Sequence, residues 1–148
     1  MRISEFIKKR QCENLAAIED AEKRLTQKMN GAYKNIAMLF TNSEVWKDVR
    51  FFPGVLMVEL KEDAIELFRD SMKILGKDII SLKGGNIFQS NAYKDAFAIE
   101  CNYSLGNDYA SIDGIFDTII NELCDLASSD RSEIEQIGKS FNEISPII

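Results

Sequence analysis

Asp113, Asp117, Asn121 and Asp125 stand four residues apart, so a helix would line them up in one row. Like charges at this spacing repel weakly, which makes the row worth a functional reading. The chemistry open to it is ionic. Such a row can meet a Lys/Arg-rich protein, or hold Mg²⁺ or Ca²⁺ through oxygen ligands. It can equally be the solvated face of a helix in an acidic protein. Asp108, just ahead of the row, joins it as a candidate partner contact. A second group is aromatic: Trp46, Phe51 and Phe52 fall in a connection over residues 41–53. Exposed, they would anchor a partner, because a few large side chains dominate interface energies. Packed inward, they would cover the end of the core beneath the first helix.

The other reactive residues form no pattern that a known chemistry requires. Histidine is absent, which removes Ser-His and Cys-His nucleophile pairs, imidazole acid–base work and histidine-ligated zinc. An enzyme built on this chain would use carboxylates, Lys, Tyr or a bound cofactor, and no cofactor motif stands out. Cys12, Cys101 and Cys124 are odd in number, far apart and without zinc spacing; they read as reduced, mostly buried thiols of a cytoplasmic protein. Lys83-Gly84-Gly85-Asn86 has the glycines of a phosphate loop but not its spacing, and reads as a tight turn. Tyr93, Lys94, Asp95, Tyr103 and Tyr109 supply proton donors without a recognisable acid–base arrangement. Lys8-Lys9-Arg10 is flanked by Glu5 and Glu13 at helix salt-bridge distances and reads as a solvated face.

Charge narrows the partners. The chain of 148 residues carries a net charge of −6. The surplus is local: residues 106–148 hold two Lys/Arg against nine Asp/Glu, whereas residues 1–28 hold seven against five. A nucleic-acid binder would be expected to show a basic stripe, and none extends beyond Lys8-Lys9-Arg10. No window approaches the roughly 18 apolar residues that a membrane span needs, and the first ten residues lack the apolar run of a secretory signal. An acidic surface favours a basic protein partner, or simply solubility.

The elements that must position these residues follow from periodicity. Ile3, Ile7, Ile18, Leu25 and Met29 recur near helical spacing, with Gln11-Cys12-Glu13-Asn14 as the weak point of the stripe. Asn30-Gly31 reads as a cap or kink before a second helical piece, Ala32 to Phe40. Val55–Leu60 is a strand covered on both faces, at least in part. Ile65, Phe68, Met72 and Leu75 line a helix that Gly76 ends. Residues 78–83 form the next strand, Gly84-Gly85-Asn86 a turn, and Ile87-Phe88-Gln89 at most a short extension. Phe97, Ile99, Cys101 and Tyr103 alternate with smaller or polar residues as a strand with one face inward. The strands 79–83 and 96–103 are expected to pair antiparallel, with Val55–Leu60 parallel to 79–83 through the crossover helix. Ser111 is placed to cap a helix to Ala127, and Ser132 with Glu135 matches a capping box for the last one. In that last helix Ile134, Ile137, Phe141 and Ile144 make a stripe that packs within the chain or forms a homodimer seam.

The expected fold is a single α+β domain: helices over 3–41, a β-α-β-β block over 53–105 forming a mainly antiparallel sheet of three or four strands, and C-terminal helices over 111–145. The expected function is non-catalytic: a cytoplasmic acidic neutraliser of a basic protein, in the manner of an immunity protein. Such a protein needs no cofactor or metal. The alternatives are a dimeric secretion or assembly chaperone using its sheet face and an apolar helix, and an enzyme working through carboxylates or a cofactor.

Overall fold

The apolar period at the start of the chain folds as one helix. α1 spans Ile3–Thr41, 39 residues, and passes through Asn30-Gly31 without a cap. A glycine in a helix interior costs only about 1 kcal/mol. The buried run beyond it, which includes Ala32, Ile36, Leu39 and Phe40, holds the helix on course. The computed structural model describes residues 2–52, 54–90, 93, 95–101 and 109–144. Among these residues four α-helices and a sheet of five strands, rather than the three or four expected, make up an α+β fold with helices at both ends of the chain, and the added strand comes from residues 46–52.

After one 3₁₀ turn, β1 (Trp46–Phe52) pairs with β2 (Val55–Leu60), and Gly54 takes the left-handed φ of 79° in the turn between them. The segment expected as a connection is therefore mostly a strand. Its signal was there: Val49 and Phe51 alternate with Asp48 and Arg50. α2 (Glu62–Leu75) starts with Glu62 and Asp63 in its first turn. It ends at Gly76, whose N–H bonds to Lys73 while that of Lys77 bonds to Met72, 3.1 Å away. β3 (Ile79–Ser81), β4 (Gly85–Gln89) and β5 (Ala96–Cys101) complete the sheet.

The strand order is β1-β2-β5-β4-β3, and every pairing is antiparallel. Two expectations fail here. β2 is not parallel to β3, because β5 enters between β2 and β4. β3 does not pair with β5, because Gly85-Asn86, read as turn, opens the intervening strand β4. Leu56, Val58, Ile87, Phe97 and Ile99 share the face that the helices cover. There the Phe97 ring stacks on Phe40 at 4.4 Å and on Phe68 at 5.6 Å between centroids.

α3 (Tyr109–Leu126) starts two residues ahead of Ser111 and ends where Ser128 adopts a left-handed φ of 53°. α4 spans Arg131–Ile144. Its cap is Asp130, whose carboxylate accepts the Glu133 N–H at 2.8 Å, so the expected Ser132–Glu135 box lies inside the helix instead. Ile134 is fully buried, and Ile137 and Phe141 pack against the core. Asn142 fixes the far end of α4 to α1 and the turn after it, accepting from Asn42 at 2.9 Å and donating to Glu44 at 2.8 Å.

Candidate functional site

The acidic row survives as a row. Asp113, Asp117, Asn121 and Asp125 are all exposed along α3. Asp117 accepts from Arg131 at 3.1 Å, which ties the start of α4 to the row and cancels one of its charges. Among the described residues no group of His, Cys, Asp or Glu is arranged to hold a metal ion. Asp108 lies outside the described residues.

One acidic side chain on the same helix has a defined task that the sequence did not suggest. Glu122 accepts the Lys83 N–H at 2.8 Å through one oxygen and the Gly84 N–H at 3.1 Å through the other. The β3–β4 turn thus presents two backbone donors, as an anion site would, and the protein's own carboxylate fills it. A Cβ on Gly84 would lie 3.3 Å from Ile119 and 3.4 Å from that carboxylate, so the glycine permits the close approach. This clamp fixes α3 over the sheet.

The three aromatics part company. Trp46 is half-buried: its Nε1–H donates to the Leu39 carbonyl at 2.8 Å, and its ring meets Phe116 edge-on at 5.7 Å. It closes the end of α1. Phe51 and Phe52 are 42% and 45% exposed and point to opposite faces of β1. Val49 is also exposed, so this edge strand carries three large apolar side chains at the surface.

The face of the sheet away from the helices is partly apolar. Cross-strand pairing sets Arg50, Met57, Ala98, Phe88 and Ile79 in one row across all five strands. Ile79 is 52% exposed, while Met57 and Phe88 are half-buried and stand outside the main core. Towards β3 this face opens into a groove of about 650 Å³ lined by Asp78, Ile79, Phe88, Gln89, Ser90 and Glu100. Asp78 and Glu100 are the ionisable residues among these. Towards β1 the face is polar. Arg50 bonds to Asp48 at 3.0 Å and lies over the Tyr93 ring, 4.5 Å from its centroid. The Asp48 carboxylate, then Tyr93, hold the guanidinium further above its ordinary pKa. In β2 the half-buried Val55, Met57 and Glu59 of this face alternate with the buried Leu56, Val58 and Leu60, an alternation of burial that the apolar run in the sequence did not display.

The largest exposed feature is the first part of α1. Residues 2–28 are exposed throughout, and Ile3, Ile7, Leu15, Ile18 and Leu25 keep between 49% and 79% of their surface in water. At roughly 1.5 Å per residue, the arm of residues 3–28 reaches about 39 Å beyond the globular head. Among the described residues no helix is long and apolar enough to cross a membrane.

Comparison with known proteins gives no match to any family model, curated protein or solved structure.

Proposed function

We propose that this chain is a non-catalytic protein-binding module of the chaperone or assembly-factor kind, which engages an extended apolar segment of another protein. The observation that carries this reading is the apolar row of Met57, Phe88 and Ile79 on the face of the sheet away from the helices, together with an edge strand that carries Val49, Phe51 and Phe52 at the surface. A sheet edge offers a line of backbone donors and acceptors to an incoming strand, whose alternate side chains would lie beside Val49, Phe51 and Phe52 of β1. Aromatic and Met side chains adapt to different partners at small entropic cost.

The test compares proteins retained from the native host by the wild-type chain and by Phe52→Ser with Met57→Ser. Loss of the retained partner, with the thermal midpoint of the head unchanged, supports the reading. Retention of the same partner at the same yield rejects it.

A second reading keeps the basic partner expected from the charge distribution. It is favoured by the exposure of Asp113, Asn121 and Asp125 in one row on α3. Asp113→Lys with Asp125→Lys spares the Asp117–Arg131 pair and would abolish binding in a salt-sensitive way. Binding that survives both reversals places the partner elsewhere.

A further inference from the structure

The arm of α1 has the features of half an interface. Leu15, Ile18, Glu22 and Leu25 follow a 3-4-3 spacing that continues into Met29, Ala32, Ile36 and Leu39, the seam by which the same helix packs on the head. Within the head that seam is covered. Along the arm it is exposed, and Ile3 and Ile7 extend it beyond the polar interruption at Gln11.

We propose that the arm is covered by the arm of a second copy, running antiparallel, so that two heads sit at opposite ends of a two-helix rod. This is independent of what the sheet face binds. The charges select this occupant and this direction. In a two-fold antiparallel pair centred near Asn14-Leu15, facing positions have numbers adding to roughly 29. Ile3 then meets Leu25, Ile7 meets Ala21 and Gln11 meets Ile18. At 3.6 residues per turn, Lys8 and Glu19 lie on one flank of the seam, with Glu5 and Lys23 further round the same side. Antiparallel helices bring like flanks together. Lys8 of one copy therefore faces Glu19 and Glu22 of the other. Glu22 is the critical position, because it stands inside the apolar seam. A parallel pair would press it against its own copy, whereas the antiparallel pair gives it a cation.

The opposing charges within one arm do not satisfy this flank. The ion pairs along it are Arg10–Glu13 at 3.8 Å and Arg24–Asp20, neither of which uses Lys8, Glu19 or Glu22. The expected homodimer seam on α4 is not available in the same way. Ile134 is fully buried and Ile137 and Phe141 pack against the chain's own core.

The test is the oligomeric state of the full chain by analytical ultracentrifugation, with small-angle scattering for its shape. A dimer with two separated maxima in its distance distribution is expected. Leu15→Glu with Ile18→Glu should weaken association by more than about a hundredfold. Both positions are exposed, so circular dichroism and the thermal midpoint of the head at low concentration should hold. Lys8→Glu should weaken it about tenfold, and adding Glu19→Lys and Glu22→Lys to the same chain should restore it. Direction is read by disulfide trapping in a Cys12→Ser background. A mixture of Ile3→Cys chains with Leu25→Cys chains, which meet in the seam, should cross-link, and neither variant alone should. A monomer at every concentration, a dimer indifferent to the Leu15/Ile18 change, cross-linking of Ile3→Cys chains to each other, or no cross-link in the mixture would each overturn the proposal.

Discussion

The two parts of α1 carry the same pattern and have opposite surroundings. From Ala32 onward the stripe is the middle of the core: Ile36, Leu39 and Phe40 expose none of their surface. From Ile3 to Lys28 the stripe of the same helix faces water. Gly31 lies where one regime passes into the other, and no neighbouring atom would meet a side chain there. An apolar period of this kind therefore identifies a surface that is to be covered, but not what covers it. In the first part of the helix the described residues supply no cover, and in the second part it is supplied by α2, α3, α4 and the sheet.

Substitutions at equivalent positions of the stripe measure that difference. Ile36→Ala should lower unfolding free energy by about 2–5 kcal/mol, as for a fully buried aliphatic side chain left with a cavity. Ile18→Ala should change it by less than about 0.5 kcal/mol in dilute solution, where the arm is solvated. Denaturant unfolding at low protein concentration compares the two, and similar losses would mean that the arm is packed. Trp46→Phe removes the donor to the Leu39 carbonyl at the buried end of the helix, and should cost about 1–2 kcal/mol in the same assay. Gly31→Ala should raise stability by about 0.5–1 kcal/mol, since the site is helical and open. A loss there would show that the helix bends at this point in its working state.

The smallest effect separates the regions chemically. Cys12 is exposed on the arm and Cys124 is buried on the inner face of α3, where desolvation pushes its thiol pKa up. A thiol reagent should modify Cys12 in the native protein and reach Cys124 only on unfolding. Because the folded state raises the pKa of Cys124, its contribution to stability is complete below the ordinary thiol value of about 8.5 and is lost as pH rises through the folded value. Midpoints measured in a Cys12→Ser chain across alkaline pH should fall less once Cys124→Ala is added.

Local period was enough to find the helices and the strands Val55–Leu60 and Ala96–Cys101, because each has its own repeat of apolar side chains. It was weaker where a strand owes its existence to partners. β1 is at a sheet edge, so its alternation of Val49 and Phe51 with charged residues looked like a loop. β4 begins with Gly85-Asn86, which have turn propensity, and is held by neighbours on both sides. The candidate residues divided in the same way. The Asp row followed from spacing alone. The attachment of Asp117 to Arg131, and of Glu122 to the turn 83–84, joins residues that no local pattern relates. The apolar row over the open sheet face came into view only with the strand order.

By itself the sequence determined the α+β class, the lack of histidine chemistry, the acidic C-terminal part and the amphipathic faces of the helices. These rest on composition and on the fixed rise and twist of backbone elements, which are local properties. The tertiary structure alone decided that β5 enters between β2 and β4, that Trp46 turns inward while Phe51 and Phe52 do not, and that one helix serves as core at one end and as an exposed arm at the other. Burial and strand pairing depend on which distant segments meet, and a period along the chain does not contain that information.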